Sequence, residues 1–477
     1  MTKEPIENVL AQRYASSAMV AIWSPRQKVI DERELWVAVL KAQAELGLTT
    51  PDSAIEAYEQ VIDIVDFDSM AARERVTRHD VKARIEEFNA LSGGYEVVHR
   101  GMTSRDETDN VEQLQIRKAL MLVRDRLITV LVRLAAQALE YKDLPMVGRS
   151  HNVAAQVTTF GKRLASAGEE TLQAFWRIED LLSRYPLRGI KGPMGTAQDQ
   201  LDLFDGDYEK LAQLERHVAD HLGFREVLGS TGQVYPRSLD FEVVSALAQA
   251  AAGPSSLAMT FRLMAGYELI TEGFQEGQVG SSAMPHKMNA RTCERINGFN
   301  DISHGYVAMI SRLSGEQWQE GDVSCSVVRR VVFPDAFFAI DGMIEAFLTV
   351  LNELGIYPAV IERELARYMP FLATTKLLMA VVRLGGDREG VHKVIQKHAK
   401  AVALEMRENG LEHNDLFARL GKDKEFGLTE TEIIELIGKP IDFVGNADEQ
   451  VMSFVRRVGA IAASNREAAE YQPEAIL

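Results

Sequence analysis

Ser281, Ser282, Lys287 and Asn289 share one short stretch, Gly280-Ser281-Ser282-Ala283-Met284-Pro285-His286-Lys287-Met288-Asn289. Gly273, Gly277 and Gly280 break the helical pattern before it, and Pro285 biases Met284 toward an extended backbone. The stretch therefore reads as a loop carrying a hydroxyl, a cation and an amide, and such loops on rigid scaffolds are where chemistry concentrates. Three more interruptions of the helical pattern are polar: Thr103 to Asp106, Gly148-Arg149-Ser150-His151-Asn152, and Ser230 to Arg237. None has the glycine spacing of a phosphate or dinucleotide loop, and no GxSxG elbow supports acyl transfer. His217 and His221 lie four apart on a helix without the glutamate of a HExxH pair, so they read as surface residues and no metal site is expected. A serine, a histidine, a lysine and an asparagine brought together suit proton removal beside a carboxylate, followed by loss of a leaving group. In that chemistry cations and donors must stabilise charge that develops in the transition state, the type Lys287 and Asn289 supply. An imidazole suits the acid, and a serine becomes a competent base only in a closed, dry site.

Long helices must position these loops. Ile116, Leu120, Val123, Leu127, Val130 and Leu134 form one apolar stripe, Ile296, Phe299, Ile302, Tyr306, Met309 and Leu313 a second, and Phe333 through Leu354 a third. With the patterns around 160–182 and 243–269, the spacing predicts a central bundle of five long helices and almost no strand. The expected fold is all-α in three helical domains, residues 1–106, 107–355 and 356–477. Stripes this long bury themselves on more than one side, which predicts a homo-oligomer with a shared helical core. The net charge of −16 argues against nucleic acid or an anionic membrane as partner. The uncharged run from Val243 to Phe261 holds Gln249, Pro254, Ser255 and Ser256, which fits a bundle helix better than a membrane span. Two cysteines, Cys293 and Cys325, and no basic-then-apolar leader in MTKEPIENVL point to a reducing, cytoplasmic setting.

Three separated segments, in order and spacing, resemble the motifs of the fumarase/aspartase superfamily: Thr103-Ser104-Arg105-Asp106, Gly148 to His151, and Gly280 to Asn289. Within it, Arg13-Tyr14, Arg78-His79-Asp80, Gln233 with Tyr235-Pro236-Arg237, Pro285-His286-Lys287, and Ser326 with Arg330 are similar to the members that split adenylosuccinate into AMP and fumarate. Those members also split the related imidazole-carboxamide succinyl nucleotide, SAICAR, into AICAR and fumarate. The resemblance implies a cofactor-free and metal-free homotetramer whose sites are shared between subunits. It implies Ser282 as general base, His151 as general acid, Glu294 as partner of His151, and Lys287 and Asn289 as stabilisers of the aci-carboxylate. Thr103 and Ser104 would hold succinyl carboxylates, and Arg13, Tyr14, Ser326 and Arg330 the phosphate. Arg78, His79, Asp80 and Gln233 would contact the rest of the substrate, with Arg295 a further cation. The two residue pairs suited to a phosphate count against argininosuccinate as substrate, and retention of all four catalytic types counts against a purely structural role.

The sequence departs from the superfamily pattern at Ala290, where proline is usual, and at Arg105, where serine or threonine is common. It departs again at Gly321, where many members carry a substrate-binding arginine; either another cation, Arg329 or Arg295, takes its place, or the nucleotide is held more weakly.

Overall fold

The computed structural model describes residues 6–273, 284 and 286–474. Among the described residues six helices precede the bundle: α1 (Val9–Arg13), α2 (Ser17–Ile22), α3 (Pro25–Glu45), α4 (Ala54–Glu59), α5 (Phe67–Thr77) and α6 (Asp80–Leu91). Ser24 caps α3 and Pro25 fills its first position, where a missing N–H loses nothing. Trp36, Val37 and Leu40 of α3 pack with Tyr58, Val81, Phe88 and Val98 into a small separate core.

The bundle consists of α7 (Ser104–Glu140), α8 (Phe160–Arg184), α11 (Ser238–Gly266), α12 (Arg291–Ser311) and α13 (Ser324–Glu353), the five long helices expected. The short helices α9 (Gln198–Leu203) and α10 (Tyr208–His221) lie between α8 and α11. The stripe read from Ile116 to Leu134 is wholly buried. Helix α7 begins at Ser104 rather than near residue 107, so Ser104, Arg105 and Asp106 form its first turn and Thr103 its N-cap.

Chain direction fixes what can meet. Near their starts α7 and α13 are joined by Arg105 and Ser326, and near their far ends by Gln137 and Leu351, so they run parallel. Helix α11 starts beside Asp109 through Arg237, while α8 ends where Gln113 reaches the Pro186 carbonyl. At about 1.5 Å per residue, the 37 residues of α7 separate the two ends of the bundle by about 55 Å.

Between α7 and α8 the chain forms an antiparallel hairpin, β1 (Pro145–Ser150) with β2 (Val153–Thr159). A second, minimal pairing joins β3 (Ile270–Thr271) to β4 (Gly355–Ile356). Val147 and Val157 of the hairpin join the core formed by α14 (Pro358–Leu372), α15 (Thr374–Arg383), α16 (Arg388–Glu408), α17 (Leu416–Lys422) and α18 (Glu430–Ile437). The stretch Pro358–Arg383 is long and apolar enough to pass for a membrane span, yet it supplies Leu365, Met369, Leu377 and Val381 to this core. After α18, α19 (Ala447–Ser464) returns to the main bundle, placing Val451, Phe454 and Val458 in its core, and α20 (Arg466–Glu470) lies along α7. Gly168 of α8 exists for that return: a Cβ there would stand 2.2 Å from the Phe454 ring.

Candidate active site

At the starting end of α7 several distant segments converge. The Asp106 carboxylate accepts from the Thr103 N–H at 2.8 Å, the Lys191 and Gly192 N–H groups at 2.9 and 3.0 Å, and Arg188 Nη1 at 2.6 Å. Asp106 and Arg188 are both fully buried, so the Thr103-Ser104 turn is fixed by a charge-assisted network. Gln233 lies over the next turn: its N–H donates to the Glu320 carbonyl at 2.6 Å, and Asp109 accepts from the Tyr235 N–H at 3.3 Å. Ser326 arrives from the first turn of α13, where its hydroxyl accepts from Arg105 Nη2 at 3.0 Å. Arg330 is one turn further along and exposed.

His79 caps α6, accepting from the Lys82 N–H at 3.3 Å, and Arg78 precedes it in a left-handed conformation at φ 52°. Arg84 ties this corner to the bundle: it pairs with Asp80 at 3.3 Å, with Glu32 at 2.7 Å, and approaches Glu107 at 3.9 Å. Burial works against the Asp80 charge, but Arg84, the Val81 N–H and His79 outweigh it and hold the carboxyl below its ordinary value. At Glu107 the balance goes the other way: burial and the adjacent Glu32 outweigh Arg84 and Lys28 and push its carboxyl well up.

His99 faces the same corner. Trp36 Nε1 donates to its Nδ1 at 3.1 Å, which puts the proton of the neutral ring on Nε2. Burial lowers its pKa, with Asp106 opposing and His79 and Lys82 assisting.

The other catalytic candidates lie at the far end. His151 is exposed at the hairpin tip, where His151 and Asn152 both have positive φ, 52° and 60°. Its neighbour Arg149 is anchored by Glu364 and by the faces of Tyr267 and Tyr368. Lys287 and Asn289 precede α12, and Glu294 and Arg295 lie in its first turns. Glu272 fixes that helix start by accepting from the Thr292 and Cys293 N–H groups, each at 2.9 Å. Tyr14 packs edge-on against Phe299, one turn beyond Arg295, and its backbone meets Gly342 of α13. Arg13 and Tyr14 border a cavity of about 420 Å³ that also holds Glu345 and Glu474. Ser282 lies outside the described residues.

One chain thus gathers His79, Asp80, Thr103, Ser104, Gln233 and Ser326, and leaves His151, Lys287, Asn289, Glu294 and Arg295 at the opposite end. Among the described residues no contact joins His151 to Glu294. The proposed phosphate ligands are divided too: Tyr14 meets α13 at Gly342, 16 positions beyond Ser326, a rise of about 24 Å. No group of three His, Cys, Asp or Glu side chains suited to a metal occurs among the described residues.

Sequence reading missed the residues that hold this corner. Arg188 and Arg84 carry no local signal, because what singles them out is burial against carboxylates from other segments. Arg329, a candidate substitute for an arginine at 321, is enclosed by Asp240 at 2.8 Å, Glu112 and Tyr235.

Residues 13–300 match a family model described as lyase, and residues 370–454 match one described as adenylosuccinate lyase C-terminus. The adenylosuccinate lyase of Saccharomyces cerevisiae is 36% identical over 94% of this chain and 93% of that protein. The chain belongs to the adenylosuccinate lyase family. This lyase is similarly related to the adenylosuccinate lyase of Schizosaccharomyces pombe, 34% identical over 94% of this chain and 93% of that one. In fold it resembles a 3-carboxy-cis,cis-muconate lactonizing enzyme from Pseudomonas putida, with a TM-score of 0.80 at 20% identity over 96% of this chain and 100% of the other. A fumarate lyase from Mesorhizobium gives 0.78 at 21% identity, over 95% and 100%. The all-α plan of the fumarase/aspartase superfamily, expected from the sequence, is the one this lyase adopts.

Proposed function

We propose that this lyase eliminates fumarate from adenylosuccinate, leaving AMP, and from SAICAR, leaving AICAR, as cytoplasmic steps of purine nucleotide synthesis. The observation that carries the reading is the convergence of His79, Thr103, Ser104, Gln233 and Ser326, drawn from separate segments, on one bundle end. Donors of that kind suit a ligand with carboxylates at one side and a phosphate at the other.

The site is composite. Ser282 removes the succinyl Cβ proton, Lys287 and Asn289 stabilise the aci-carboxylate, and His151 protonates the departing nitrogen, with Glu294 ordering it. Proton transfer needs donor and acceptor within roughly 3 Å, while the ends of α7 are about 55 Å apart. Another copy must therefore bring its hairpin and its α12 start to the Thr103 corner, and the same contact joins Arg13 and Tyr14 to Ser326 and Arg330 around the phosphate. Exposed apolar side chains on three bundle helices support such packing: Met259 and Leu263 on α11, Ile302 and Met309 on α12, and Val327 and Val331 on α13. A homotetramer is the assembly proposed.

The test is a spectrophotometric turnover assay with adenylosuccinate, SAICAR and argininosuccinate in parallel, with fumarate identified as product. Cleavage of both nucleotides and not of argininosuccinate is expected; cleavage of argininosuccinate alone overturns the reading. Ser282→Ala should then lower kcat by roughly 10²–10⁴-fold with folding intact.

A further inference from the structure

We propose that Arg105 is a substrate-binding residue: with Ser326 it holds the phosphate of the nucleotide. The inference rests on the nucleotide reading above and adds a residue to it.

Arg105 stands in the first turn of α7, directly after Thr103 and Ser104, and its side chain crosses to the first turn of α13. Its Nη2 donates to the Ser326 hydroxyl at 3.0 Å and its Nη1 to Asp109 at 3.3 Å. A guanidinium has five donors, so several remain for a ligand. The Ser326 hydroxyl accepts this bond, which leaves its own O–H to donate. An arginine fork and a serine hydroxyl aimed side by side are a recognised match for phosphate oxygens.

The ordinary explanation is an i,i+4 pair that neutralises Asp109, and it does not account for the geometry. Asp109 already has Arg237 at 3.1 Å, Arg329 at 3.8 Å and the Tyr235 N–H. Those two arginines are almost wholly buried, whereas Arg105 keeps 13% of its side chain in solvent, beside the exposed turn at Asp322.

The turn before α13 cannot supply the cation instead. Gly321 has φ 134°, and a Cβ there would sit 2.8 Å from Val234 Cγ2. A side chain at 321 is thus strained and blocked in this loop. Arg329 is consumed by Asp240 and Glu112, and Arg295 lies at the opposite end of the bundle. Among the described residues, Arg105 is the basic group that reaches the Ser326 hydroxyl.

The experiment compares wild type, Arg105→Gln and Arg105→Lys on adenylosuccinate and on succinyladenosine, the same compound without its phosphate. Loss of one charge-assisted contact should raise KM for adenylosuccinate about 10- to 100-fold in Arg105→Gln, with kcat held within about threefold. KM for succinyladenosine should not change, and Arg105→Lys should fall between. An unchanged KM for adenylosuccinate, or an equal rise on both substrates, overturns the assignment, because a merely structural arginine does not distinguish them. If wild type cleaves neither compound, the nucleotide reading fails and Arg105 falls with it; if wild type cleaves adenylosuccinate normally, only the assignment is in question.

Discussion

Asp106→Asn removes one charge from the buried network beneath Thr103 and Ser104, and the structure sets the size of the loss. The carboxylate serves four donors: Arg188 at 2.6 Å, the Lys191 and Gly192 N–H groups, and the Thr103 N–H. An asparagine oxygen can keep the first three as a neutral acceptor, but its amide then faces the Thr103 N–H, donor against donor. Turned over, it faces Arg188 instead. Either way Arg188, fully buried, loses its counter-charge. Breaking a buried pair by removing one partner costs about 3–5 kcal/mol. Carbonyls of Gly189, Gly192 and Gly232, at 3.2, 3.0 and 3.2 Å from Arg188, keep part of its solvation and set the expectation near the lower end, about 3 kcal/mol. The carboxylate's own desolvation, relieved in the variant, does not reverse the sign because the arginine remains. The assay is guanidinium unfolding at fixed protomer concentration, since assembly contributes to apparent stability. A lower midpoint with an unchanged slope is expected, with a higher KM as the Thr103-Ser104 turn loosens. A loss below about 1 kcal/mol would refute the claim that this pair fixes the corner.

Two further perturbations read other parts of the account. Glu272→Ala strips the cap from α12 and should cost about 1–2 kcal/mol; amide exchange at Thr292 and Cys293 should quicken, and unchanged exchange there would show that the cap does not order the helix start. Burial depresses the His99 pKa below 6.5, so the unfolded chain binds its proton more readily than the native one. The stability of wild type relative to His99→Gln should therefore be flat above about pH 7 and decline as pH falls through the 6.5 region; a difference independent of pH would contradict a neutral, half-buried His99.

Much of the scaffold was legible in the sequence. The stripe from Ile116 to Leu134 is fully buried, as its spacing requires, and the helix of Phe333 to Leu351 crosses the core. The hairpin was not legible. In Met146-Val147-Gly148-Arg149-Ser150 the two apolar residues are adjacent rather than alternating, because the strand lies between the bundle core and the C-terminal core and buries both faces at once. Ile302 and Met309 continue the second stripe yet are exposed, on a face that the proposed assembly would cover. The site motifs stood out because turns concentrate Gly, Ser, Thr and Asn. Their supports, Arg188, Arg84 and Glu272, act through long-range contacts that no local pattern encodes. The separation of the candidate residues between two ends was implicit in helix length, since a helix of 37 residues cannot return its own start to the loop that follows it.

The composite site is the central claim, and subunit mixing tests it most directly. One inactive variant carries His151→Ala; the other carries Thr103→Ala and Ser104→Ala, at the opposite end of the same chain. After exchange of subunits, verified with differently tagged chains, random assembly leaves about a quarter of the two-copy sites wild type throughout. Recovery to that level, from parents that are each nearly inert, is the result predicted. Activity no greater than the sum of the two parents after confirmed exchange would mean that each site is built within one chain, contradicting the account.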